Sequence, residues 1–154
     1  MVLFKQTQRA KLLKQFHLEV KTELEAIVEI LNWFEQTTNF LLSDKCRWQC
    51  KLAITEAFTN TVLYAHHDLP ATTPIVLEIN FFANFLEIRL YDHGGPFDIQ
   101  TKLRSMRKDN GSSLEREGDR GLLFMKELTD DLHYLRLSGG YNCLVMRKLI
   151  QDQL

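Results

Sequence analysis

The chain has 154 residues, 45% hydrophobic and 25% charged, with a net charge of −1 at pH 7. That length and composition predict one soluble globular domain that buries roughly two-thirds of the surface its unfolded chain exposes. Near-neutral charge gives no support to direct nucleic-acid binding or to a charge-driven membrane role. No apolar run approaches the length of a transmembrane helix, and the N-terminus lacks a signal-peptide layout. Three cysteines are an odd number, which argues against a full disulfide framework. Cys46 and Cys50 read as small buried hydrophobes of a reducing, cytoplasmic compartment, not as metal ligands.

Residues 1–14 form a basic N-terminal arm carrying Lys5, Arg9, Lys11 and Lys14, and residues 15–154 form the domain. Gln15 to Val20 alternates, with Phe16, Leu18 and Val20 on one face, and predicts a half-buried strand. Thr22 is a candidate cap for a helix with Glu23 and Glu25 in its first turn. Leu24, Ile27, Val28, Leu31 and Phe34 supply its apolar stripe. After a connection at 39–42, Ser43 or Asp44 can cap a second helix running to about His66. Leu52, Ala53, Ala57 and Tyr64 give that helix a buried face. Pro70 and Pro74 enclose a linker.

Ile75 to Phe82 and Phe85 to Tyr91 predict an antiparallel hairpin turned at Ala83-Asn84. Asp92 to Asp98 is a turn-forming loop, and the polar segment through Gly118 is unusually long for a compact domain. Helical pattern resumes at Arg120. Asp131 to Leu137 and Tyr141 to Leu149 predict a last hairpin turned at Ser138-Gly139-Gly140. The order predicts an α+β fold, a two-layer sandwich with helices on one face of a mixed, mostly antiparallel sheet.

Glu56 and Asn60 lie four apart and so share one helical face. A surface pair is the simpler account of that stretch alone. Downstream features change it. Asp92 ends a strand and is followed by Gly94-Gly95, and Gly118-Asp119-Arg120-Gly121 opens a helix. Each has a physical use if the ligand is a nucleotide. A carboxylate such as Asp92 can accept from the exocyclic amino group of a base. Gly94 and Gly95 let backbone approach a flat ring. A helix start offers N–H groups and a favourable dipole to phosphate. Asn60 can give its carbonyl oxygen to Mg²⁺, which takes few protein ligands. Glu56 can accept a proton from an attacking hydroxyl.

Glu56-Ala57-Phe58-Thr59-Asn60 resembles the N box of the GHKL (Bergerat-fold) ATPases. Asp92 to Asp98 resembles their first glycine box, and Gly118 to Leu122 the second. The Thr-Glu-Ala-x-Thr-Asn wording and the length resemble the bacterial anti-sigma-factor serine kinases. The resemblance implies that Asn60 holds Mg²⁺, that Glu56 is the general base and that Asp92 binds the adenine amino group. It also implies that Gly94, Gly95, Gly118, Arg120, Gly121 and Leu122 complete an ATP site, with residues of about 99–117 as a lid. The implied activity is transfer of the γ-phosphoryl of ATP to a serine of a small antagonist protein, coupled to sequestration of a sigma factor by a homodimer.

Several positions depart from the pattern. Pro96 stands where many members have a further glycine, and the second box has no glycine after Gly121. Tyr64 stands where a basic residue or His is common. Tyr141-Asn142 follows the hairpin glycines where a Thr is usual. A nucleotide-binding module without turnover is therefore carried as the alternative, and the ATPase half of a histidine kinase as a weaker one. Lys102, Arg104, Arg107 and Lys108 read either as a solvated face or as a contact for phosphate or an acidic partner. His66-His67-Asp68 reads either as a metal cluster or, more simply, as helix-end dipole compensation, and Trp33 and Trp48 as core or interface anchors.

Overall fold

The computed structural model describes residues 10–39, 41–97, 104 and 117–150. All but Arg104 and Glu117 of the expected lid, and residues 1–9 of the arm, lie outside them. Five strands follow the predicted alternation: β1 Lys14–Lys21, β2 Pro74–Phe81, β3 Phe85–Asp92, β4 Asp131–Leu137 and β5 Tyr141–Leu149. Three helices accompany them: α1 Ile27–Thr38, α2 Asp44–Asn60 and α3 Glu117–Leu128. The sheet order is β1-β2-β3-β5-β4. All four pairings are antiparallel, so the parallel pairing allowed for in a mixed sheet is not found among the described residues.

Period-two alternation puts Leu77, Ile79, Leu86, Ile88, Leu144 and Met146 on one face of the sheet, all buried. Ile30 and Phe34 of α1, Ala53, Ile54, Ala57 and Phe58 of α2, and Leu122 and Met125 of α3 close over it. The other face carries a buried charge network. Glu87 accepts from Arg147 at 2.8 Å, Arg89 at 2.6 Å and Asn80 at 3.0 Å. The β4–β5 turn needs its glycines, because Gly139 and Gly140 have φ of +89° and +86°.

Three local expectations are corrected. Thr22 does not cap α1; its hydroxyl donates to the Thr73 carbonyl at 2.7 Å, and a 3-10 turn over Leu24–Ala26 leads into the helix. Of the stripe expected for α1, Phe34 is buried and Ile27 and Leu31 pack partly against the core, with Ile30 and Thr38 buried beside them, while Leu24 and Val28 are exposed. Tyr64 is exposed, since α2 passes into a π-helical segment at Thr61–Ala65 that rotates it off the buried face. Other expectations hold. Ser43 caps α2 by accepting from the Cys46 N–H at 3.2 Å. Cys46 and Cys50 are buried and free. Trp33 packs partly against the core, whereas Trp48 is exposed.

Candidate functional site

The helical repeat of α2 presents Glu56 and Asn60 together, both partly exposed. The first turns of α3 lie directly against them. A Cβ built on Gly121 would stand 2.6 Å from Glu56 Oε2 and 3.3 Å from Asn60 Nδ2. A glycine is what permits this approach. Gly118 lies in the first turn of α3, where backbone N–H groups lack intrahelical acceptors. Arg120 is exposed. Leu122 is buried in the core, so its side chain serves packing and only its backbone can face a ligand.

The first glycine loop leaves β3 at Asp92. Gly94 sits where a Cβ would meet the Ala65 carbonyl oxygen at 2.9 Å, so the loop is seated on the end of the π-helical segment. Gly95 is exposed and open, with nothing within 4 Å of a built Cβ. Beside this seat a cavity of about 380 Å³ is lined by Leu63, Tyr64, His67, His93, Gly94 and Gly95, among others. Glu56, Asn60 and Asp92 are not among its lining residues.

His66 is not a dipole-compensating surface residue. It is 1% exposed and ties three segments together. The Thr22 hydroxyl spends its proton on Thr73, so it accepts from His66 Nδ1 at 2.8 Å. His66 Nε2 in turn accepts from the His93 N–H at 2.8 Å. These partners assign a neutral ring protonated at Nδ1. Burial pulls its pKa below the usual 6.5, the nearby Asp92 charge opposes this, and His93 adds to the lowering.

Asp92 is wholly buried. Its Oδ1 accepts from the Gly94 N–H at 2.8 Å and from Asn142 Nδ2 at 2.9 Å. Its Oδ2 accepts from the Tyr134 hydroxyl. Asn142 Nδ2 also reaches the carbonyls of Gly94 at 3.0 Å and Gly95 at 2.9 Å. Arg136 completes the group, donating to Gly94 O at 2.8 Å and to Asn142 Oδ1 at 3.1 Å. Tyr134 and Arg136 were not foreseen from the sequence, and Asn142 stood out only as part of the Tyr141-Asn142 pair that replaces the usual Thr. The signal lies in strand register, which pairs Asp92 with Asn142 and Asn142 with Arg136 in one row across β3, β5 and β4.

The histidine kinase-like ATPase domain family matches residues 20–148. The chain belongs to that family. Within this histidine kinase-like ATPase family it is similar to serine-protein kinases RsbW. It is 33% identical to the one from Bacillus licheniformis over 92 residues, 58% of this chain and 57% of that protein. It is 33% identical to the one from Listeria monocytogenes over 106 residues, 67% of this chain and 66% of that protein. The chain therefore spans little more than half the length of the Bacillus relative. A crystal structure of the RsbU and RsbW domains of Rv1364c from Mycobacterium tuberculosis superposes with a TM-score of 0.62 at 11% identity. That match covers 89% of this chain and 33% of the other, and it establishes the shared fold. No helix among the described residues is long and apolar enough to cross a membrane.

Proposed function

We propose that this chain is an ATP- and Mg²⁺-dependent protein-serine kinase that doubles as an anti-sigma factor. It phosphorylates a serine of a small antagonist protein and sequesters a sigma factor, acting as a cytoplasmic homodimer. The observation that carries this reading is the seating of Gly121 against Glu56 and Asn60, which brings the N box and the second glycine box into one wall. Similarity to serine-protein kinases supports the reaction class.

The residues present suit a magnesium nucleotide. Asn60 offers a hard carbonyl oxygen and Glu56 a carboxylate, and both side chains pack against the Cα of Gly121. Asn60 would hold Mg²⁺, which when bound offsets charge on the phosphates. In this reading the unpaired N–H groups at the start of α3 serve the phosphates, and Arg120 adds a charge-assisted donor. Glu56 takes the proton of the attacking serine hydroxyl. Asp92 accepts from the base amino group, and Gly94 and Gly95 admit the ring. Phosphoryl transfer asks mainly for positioning and charge stabilisation, which this set can supply.

The second reading is a nucleotide-gated interaction module without turnover. The second glycine box, which has no glycine after Gly121, and the Tyr141-Asn142 pair where a Thr is usual favour it. The two readings separate when the protein is mixed with ATP, Mg²⁺ and candidate antagonist proteins. Labelled phosphate is expected on the antagonist, and Glu56→Ala is expected to slow transfer by about 10²–10⁴-fold while ATP still binds. Equal transfer by Glu56→Ala removes the general-base assignment. Binding of ATP with no transfer by the parent protein leaves the module.

A further inference from the structure

The carboxylate meant for the base is already occupied from within the chain. Each carboxylate oxygen offers two lone-pair positions. On Asp92 Oδ1 both are taken, by the Gly94 N–H and by Asn142. Oδ2 is held by the Tyr134 hydroxyl, and the residue is 0% exposed. Oδ2 keeps a second lone pair, but because the residue is wholly buried a base amino group reaches it only if one of the covering groups moves. We propose that Tyr134 is that group: its phenol competes with the exocyclic amine for Asp92 Oδ2, and the nucleotide enters by turning the phenol out. Tyr134 thereby sets both the affinity of the pocket and its preference for a base that carries an amine. This inference rests on the nucleotide reading above.

The other donors cannot play this part. Gly94 donates from backbone that is seated on Ala65. Asn142 shares the two hydrogens of its Nδ2 among Asp92 Oδ1 and the Gly94 and Gly95 carbonyls, and its Oδ1 is held by Arg136, so it is tied to the loop as well as to Asp92. Tyr134 is placed differently. It lies on β4, the strand at the edge of the sheet, and is partly exposed. Its ring meets the edge of Phe97 at a centroid distance of 5.6 Å and an interplanar angle of 84°. Phe97 belongs to the exposed end of the glycine loop. Turning Tyr134 out therefore costs its hydrogen bond, its contact with Phe97 and part of its packing against the core, and leaves the row Asp92–Asn142–Arg136 intact. The freed Oδ2 is then a buried acceptor with a donor missing, which is the condition that makes an incoming amine bind well.

The test is calorimetric titration of the full chain, Tyr134→Phe and Phe97→Ala with two magnesium nucleotides. One is ATP. The other is purine riboside 5′-triphosphate, which lacks the exocyclic amine. Tyr134→Phe keeps the ring and removes the competing hydroxyl, so ATP is expected to bind about 3- to 10-fold tighter, while the amine-free analogue is unchanged. Melting of ligand-free Tyr134→Phe is expected to fall, since Asp92 Oδ2 loses its donor. A merely structural tyrosine predicts that fall without the gain in affinity. Phe97→Ala alters an exposed residue and loosens the phenol from its other side. It is expected to tighten ATP by about 2- to 5-fold even if Tyr134→Phe folds poorly. If the parent binds ATP and both variants bind it equally or more weakly, the gate is wrong and the nucleotide site stands. If the amine-free analogue gains as much as ATP, Tyr134 does not act through Asp92. If neither parent nor variants bind ATP at millimolar concentration, the nucleotide reading fails and the gate with it.

Discussion

Gly121→Ala separates the chemistry of the site from the stability of the fold. The added methyl would lie 2.6 Å from Glu56 Oε2, and to reach ordinary contact at 3.4 Å that oxygen must retreat by about 0.8 Å. The atom displaced is the far end of a flexible, partly exposed side chain, so the fold absorbs the change cheaply. Gly121 also lies within α3, where alanine is favoured over glycine by about 0.8–1 kcal/mol. The melting temperature should therefore hold or rise by about 2–4 °C. Catalysis should not hold. A general base displaced by nearly an ångström costs on the order of 10–100-fold in rate. The Asn60 amide, 3.3 Å from the same methyl, is crowded as well. The assay pairs a thermal melt with transfer of labelled phosphate from ATP to an antagonist protein. A variant that melts normally and transfers at the parental rate would refute the placement of Glu56 and Gly121 in one catalytic wall. A variant that unfolds would show that the contact is structural.

Two further outcomes concern the glycine loop. In Gly94→Ala the methyl meets the backbone oxygen of Ala65 at 2.9 Å, which cannot swing aside, and a loss of about 1–3 kcal/mol is expected in denaturant unfolding. An unchanged midpoint would mean that the loop is not seated on the end of the π-helical segment at Ala65. Acid should weaken the fold through His66. Its folded pKa lies below the unfolded value of 6.5, so the unfolded chain takes up the proton first. Its contribution is complete above about pH 6.5 and is lost as the pH falls from there toward the lower folded value, by at most about 1.4 kcal/mol per pH unit. Denaturant midpoints between pH 8 and 5 should show this slope in the parent and a shallower one in His66→Gln. Equal slopes would exclude the neutral clamp on the His93 N–H.

The elements were legible because their hydrophobic periods are strong. β1 to β5 fall within a residue or so of the runs that predict them, and the Ser43 cap and the turn glycines carry local chemistry that sequence displays directly. Glu56, Asn60, Asp92 and Gly121 stood out through the resemblance of their boxes to the GHKL pattern, since helical spacing alone reads Glu56 and Asn60 as a surface pair; the structure brings Gly121 against both. The corrections arise where a side chain serves a distant segment. Thr22 looks like a cap, but its hydroxyl is used 51 residues away at Thr73. His66 looks like a helix-end residue, but its two nitrogens join Thr22 to His93. Tyr134, Arg136 and Asn142 meet Asp92 through strand register, and a slip of one residue would send them to the opposite face. Alternation shows that a strand exists and leaves open which residues stand opposite one another.

The central claim is that Glu56, Asn60 and Asp92 form one magnesium–nucleotide site. A crystal structure of the full chain with a non-hydrolysable ATP analogue and Mg²⁺ tests it most directly. The account predicts Asn60 Oδ1 at about 2.0–2.1 Å from the metal. It also predicts the base amine on Asp92 Oδ2 and the Tyr134 phenol turned away. A nucleotide bound elsewhere, or a metal that Asn60 does not touch, would contradict it.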